Sequence, residues 1–168
     1  ALEVIAWNPK LLRRSALCLA RLAEIDPGGS DSNRPINSLR TIFLSWAPGT
    51  SATLQQRKIV LAEVLNFAPK VAWELISKLL PRPLDSSFSS RRPVFREYTE
   101  KEGEVLTYAR VWEGETFITE KAIQYAGSDS SRWIPIIESV GRLPQRAFDN
   151  VCAALNRILS EAEPRTRF

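Results

Sequence analysis

Proline and glycine cut this chain into short segments, and within each segment apolar residues recur three and four positions apart. That punctuation dictates helices joined by tight turns. Asn8-Pro9 opens one helix, because Asn accepts from the free backbone N–H groups and Pro suits the first helical position. Leu12, Ala16, Leu19 and Ala23 follow at helical spacing, flanked by Leu11, Cys18, Leu22 and Ile25. Asp26-Pro27-Gly28-Gly29 stops it. Lys10, Arg14, Arg21 and Glu24 fall on the solvent arc, with Leu17 in their midst.

After a polar loop at 30–34, Leu39, Ile42, Phe43 and Trp46 mark a short helix that Ala47-Pro48-Gly49-Thr50 ends. A third helix spans 53–67. Ala68-Pro69 restarts a fourth, with Ala72, Trp73, Leu75, Ile76 and Leu79, and Pro81 and Pro83 close it. The serine-rich stretch 85–92 reads as a loop. From Glu104 the pattern returns with Val105, Ala109 and Trp112, then Ile118, Ala122 and Tyr125; Gly114 is a candidate break into two helices. Caps at 129–131 precede Trp133, Ile136, Ile137 and Val140, where Pro135 is tolerable only in a first turn. Pro144 opens a last helix carrying Phe148, Val151, Cys152, Leu155, Ile158 and Leu159. No segment sustains period-two alternation, and 105–111, the best strand candidate, fits a helix equally well. The expected class is all-α.

Residues 3–11 (EVIAWNPKL) and 63–71 (EVLNFAPKV) share Glu, Val, Pro and Lys at an offset of 60, with conservative changes at three further positions. Each reads as an apolar helix, an aromatic, one residue, Pro and a second helix. Chance is the alternative, since helix–Pro–helix junctions are common. A looser third copy spans 122–140. Stacked helical units need neighbours on both faces. The expectation is therefore an α-solenoid-like array of roughly six to eight helices. It divides into a helical half at 1–84, a Ser/Arg-rich then acidic loop at 85–103, and a second helical half at 104–168.

The sequence holds no Met, and residues 1–7 read as an apolar helix already under way. Both features point to a domain excised from a longer protein, a processed mature chain being the alternative. Neither a membrane span nor a signal peptide is legible, so a cytoplasmic protein without membrane contact is expected. Cys18 and Cys152 sit far apart in apolar patterns and are expected as buried free thiols, a disulfide being the other possibility. Residues 1–84 carry 11 Lys/Arg against 6 Asp/Glu, whereas 97–120 holds seven acids, expected as a solvated face.

Chemistry is thinly represented. With no His in the chain, His-based triads and common zinc clusters are out of reach. Gly28-Gly29 follows a helix and not a strand, so it is a helix stop rather than a phosphate cradle, and no GxxxxGK[ST] loop is present. Glu100, Glu102 and Glu104 alternate without the Asp-rich loop of a calcium site. No catalytic residue, cofactor or metal is expected. Arg13, Arg14, Arg91 and Arg92 are the candidate phosphate contacts of a nucleic-acid binder. However, the aromatics that would stack on bases, Trp7, Trp46, Trp73, Trp112 and Trp133 among them, occupy apolar positions that suit inter-helix packing.

The stretches Trp7-Asn8-Pro9, LARLAEIDPGG at 19–29 and NRPINSLRTIFLSW at 33–46 resemble helical regions of very large bacterial proteins. In several of these the helical array follows a STAND-type NTPase or another effector module of the phage-defence kind. The resemblance covers mainly residues 1–84 and implies a sensor or scaffold arm; any nucleotide chemistry would lie elsewhere in the parent protein. The expected function is non-catalytic protein–protein recognition, with a protein partner or neighbouring domains of the parent chain. Leu17, Arg14 and Arg21 are the candidate contacts, and a nucleic-acid-binding helical domain is the alternative.

Overall fold

The structure is a computed structural model and describes residues 2–29, 31, 33–83, 85 and 103–162. Among these every regular element is helical: α1 (Leu2–Ala6), α2 (Pro9–Glu24), α3 (Pro35–Phe43), α4 (Leu54–Phe67), α5 (Pro69–Leu79), α6 (Tyr108–Ala126), α7 (Ser130–Ser139) and α8 (Gln145–Ala162). A 3-10 turn at Val140–Arg142 links the last two. The all-α expectation holds.

The helix starts follow their capping chemistry. The Asn8 side chain accepts from the Lys10 amide at 2.9 Å, with Pro9 in the first turn of α2. Thr53 and Gln56 form a reciprocal capping box on α4. Between α2 and α3 the turn is held by Asp26, which accepts from the Gly28 amide and from Arg34 Nε at 2.9 Å. Gly127 ends α6 at φ 49°, a left-handed value that a Cβ would penalise. The Trp7 carbonyl closing α1 accepts from the Ser51 amide at 3.0 Å, Ser51 Oγ at 2.9 Å and Thr50 Oγ1 at 3.3 Å, which fixes the α1–α2 junction against the loop before α4.

One apolar core joins Leu12, Ala16 and Leu19 of α2 through Leu39, Ile42, Leu65, Leu75 and Ile76 to Ile118, Ile136 and Val151. It thus runs through both helical halves. Tyr125 Oη donates to the Leu65 carbonyl at 3.2 Å, and the Arg132 guanidinium lies 5.6 Å from the Trp73 ring centre, tying α6 and α7 to α4 and α5.

Several local expectations are corrected. Gly114 does not break α6, which runs unbroken from Tyr108; a Cβ at Gly114 would sit 2.8 Å from Ser45 Oγ. Its role is the close approach of α6 to the loop between α3 and α4. Val105 precedes the helix and is exposed, because the buried face of α6 runs through Gly114, Ile118, Ala122 and Ala126 instead. Pro135 lies in the second turn of α7 rather than the first; Ser131, whose carbonyl loses its helical partner, is exposed and open to water. Cys18 is exposed and Cys152 half-buried, both as free thiols. The two similar junctions both turn at proline, yet Trp7 is 8% exposed and Phe67 50%. The loop before α4 bonds to the Trp7 carbonyl, whereas Phe67 is left exposed, so the environments differ although the sequences are similar.

Candidate functional site

An open groove of about 510 Å³ runs between α4, α6 and the start of α8. Trp112 and Phe117 of α6 and Pro144 ahead of α8 give it an apolar floor, and Lys58, Glu113 and Arg146 stand around it. Trp112 was expected in inter-helix packing. Instead it is 54% exposed, its ring 6.1 Å from that of the exposed Tyr108. One turn separates the two, so the first turn and a half of α6 presents a paired aromatic surface.

The charges around the groove are largely satisfied within it. Glu113 accepts from Lys58 Nζ at 2.7 Å and from Arg110 at 3.1 Å, and the Lys58 hydrogen bond holds its carboxyl below the ordinary range. Lys58 and Lys121 approach the Phe117 ring centre at 5.5 and 5.8 Å. Glu120 accepts from Asn150 at 3.2 Å, and the Thr116 hydroxyl donates to the Trp112 carbonyl at 2.7 Å. The Arg146 guanidinium has no ion-pair partner among the described residues. What the groove offers is aromatic area and one free cation, the equipment of a contact surface.

Behind the groove lies a charge cluster that periodicity could have flagged. Arg57 occupies the apolar stripe of α4 with Leu54, Leu61 and Val64, and it is 4% exposed. Its Nη1 donates to the Leu44 carbonyl at 3.4 Å, its Nη2 lies 3.9 Å from Glu104 Oε2, and its Nε has no partner. Burial pushes the Arg57 pKa down and Glu104 pushes it back up. Glu104 also accepts from the Leu54 amide at 2.6 Å, at the positive end of α4, and forms an ion pair with Arg110 at 3.2 Å. No spacing in the sequence foretold this partner, 47 residues further along.

The expected contact residues separate. Arg14 and Arg21 are exposed on α2, while Leu17 is half-buried and packs on the core. Arg13 forms a two-point pair with Glu63 of α4, Nε to Oε2 at 2.8 Å, which draws it away from any phosphate. Arg91 and Arg92 lie outside the described residues, as do Glu97, Glu100 and Glu102. Among the described residues no three His, Cys, Asp or Glu side chains cluster to hold a metal, and no helix is long and apolar enough to cross a membrane. Compared with known family models, curated proteins and solved structures, the chain matches none.

Proposed function

We propose that this chain is a non-catalytic helical-repeat module that recognises a protein partner or a neighbouring domain of a longer chain. The observation that carries this reading is the exposed Trp112–Tyr108 pair beside an open groove. Tryptophan and tyrosine supply large contact area at low entropic cost and dominate binding energy at protein interfaces. An array-like architecture is supported by the substantial helix contacts, which mostly join each helix to the next or next but one; α2 also reaches α5. The resemblance of 7–9, 19–29 and 33–46 to helical arms of bacterial STAND-type proteins agrees with a cytoplasmic sensor or scaffold role. Nucleic-acid binding stays second, because Arg13 is neutralised by Glu63.

The test is affinity capture from cell extract with and without nuclease treatment, with the wild-type chain and Trp112→Ala/Tyr108→Ala side by side. Capture of a defined protein by the wild type, lost in the variant at unchanged helicity, is the expected result. Capture that disappears with nuclease, or tight duplex binding at about 0.15 M salt, reverses the ranking in favour of nucleic acid.

A further inference from the structure

The outer ridge of α2 is a second surface that carries exposed cations with few partners among the described residues. At 100° per residue, Lys10, Arg14, Leu17 and Arg21 fall within about 60° of one another, along about 16 Å of axis. Lys10, Arg14 and Arg21 are exposed, and Ile25, 65% exposed, continues the line past the last turn. Among the described residues Glu24, whose side chain is 9% exposed, accepts from Arg21 at 2.8 Å and leaves that guanidinium 67% exposed. Asp26, the next acid along the chain, is taken by Arg34. The ridge therefore keeps a surplus of positive charge around an apolar centre.

We infer that the α2 ridge docks an acidic amphipathic helix of a partner protein, with carboxylates facing Lys10, Arg14 and Arg21 and an apolar side chain over Leu17. This rests on the protein-recognition reading and names the partner's chemistry. A helix meets the ridge's demands together: its i, i+4 and i+11 positions share a face and match the cation spacing, and the same face can place Leu between them. A phosphate backbone supplies the charge but leaves Leu17 and Ile25 facing anions. A helical peptide covers both.

The test uses the full chain and a synthetic helical peptide of about 20 residues. The peptide carries Glu at i, i+4 and i+11 with Leu on the same face. A scrambled peptide of equal composition, a short DNA duplex and vesicles of phosphatidylcholine with phosphatidylserine are the comparators. The exposed Cys18 reports from the flank of the ridge, and Cys152 on α8 serves as the internal reference. The patterned peptide should bind, slow Cys18 alkylation while leaving Cys152 unchanged, and weaken about tenfold or more (~1.4 kcal/mol) in Arg14→Glu/Arg21→Glu. Arg14→Gln/Arg21→Gln, which removes charge without reversing it, should weaken binding less and guards against misfolding of the reversal variant. Equal binding by the scrambled peptide, tighter binding by duplex or vesicles, or an unaltered Cys18 rate overturns the inference. If Trp112→Ala/Tyr108→Ala abolishes capture of the cellular partner while ridge reversal does not, the acidic-helix inference fails and protein recognition stands.

Discussion

Removing the Glu104 carboxylate should cost this fold about 3 kcal/mol. Glu104 answers a guanidinium on α4 that has little else: Arg57 is 4% exposed, its Nε has no partner and its one hydrogen bond, to Leu44, is long at 3.4 Å. At 3.9 Å and an effective dielectric of about 20, the Glu104–Arg57 attraction is about 4 kcal/mol. Partial exposure of Glu104 lowers that figure, and loss of its 2.6 Å bond from the Leu54 amide at the α4 terminus adds about 1 kcal/mol. Glu104→Ala should thus shift the urea midpoint, followed by circular dichroism, with an unchanged slope. Glu104→Gln keeps an oxygen for the Leu54 amide and should lose less. Arg57→Leu/Glu104→Ala should recover most of the loss, because a matched apolar replacement leaves no buried charge. A loss below about 1 kcal/mol in Glu104→Ala, or a double variant no better than the sum of the singles, refutes the reasoning.

Burial raises the Glu115 pKa from 4.5 to about 7. The native state therefore holds a proton that the unfolded chain releases, and stability should fall as pH rises from about 5 to 8. Discounted for partial exposure, Glu115→Gln should gain about 1–2 kcal/mol at pH 8 and flatten that slope in a pH series of urea melts; an unchanged slope counts against it. Leu17→Asp should destabilise by about 1–3 kcal/mol, because Leu17 packs on the core, whereas exposed Leu22→Asp should change the melting temperature little. Gly114→Val should destabilise by about 2 kcal/mol or more, and Gly114→Val/Ser45→Gly should win part of it back in the same denaturation assay, since the nearest obstacle is the Ser45 side chain.

The helices were legible because proline, Asn8, Thr53 and Asp129 mark their ends by local chemistry that needs no tertiary knowledge. The faces were less so. On α6 the apolar spacing of Val105, Ala109 and Trp112 suggested a buried stripe, yet the neighbours approach on the side of Gly114 and Ala122, where small side chains allow it. Trp112 was thereby released to the surface. Cys18, at the edge of the α2 stripe, is exposed for a related reason: the buried arc through Leu12, Ala16 and Leu19 is narrower than the apolar run. Arg57 carried a signal, a cation in an apolar stripe, but its partner Glu104 depends on how the chain returns after 47 residues. Of the four arginines weighed for phosphate, Arg13 is decided by Glu63, another long-range contact.

Hydroxyl-radical footprinting of the chain, with and without the protein it captures, tests the recognition surface most directly. Trp112 and Tyr108 are exposed and should oxidise readily alone, whereas Trp133, 5% exposed, should react slowly throughout. On complex formation the Trp112 and Tyr108 rates should fall together while the Trp133 rate stays put. A saturated complex in which Trp112 and Tyr108 oxidise as fast as in the free chain would contradict the assignment of this groove as the recognition site.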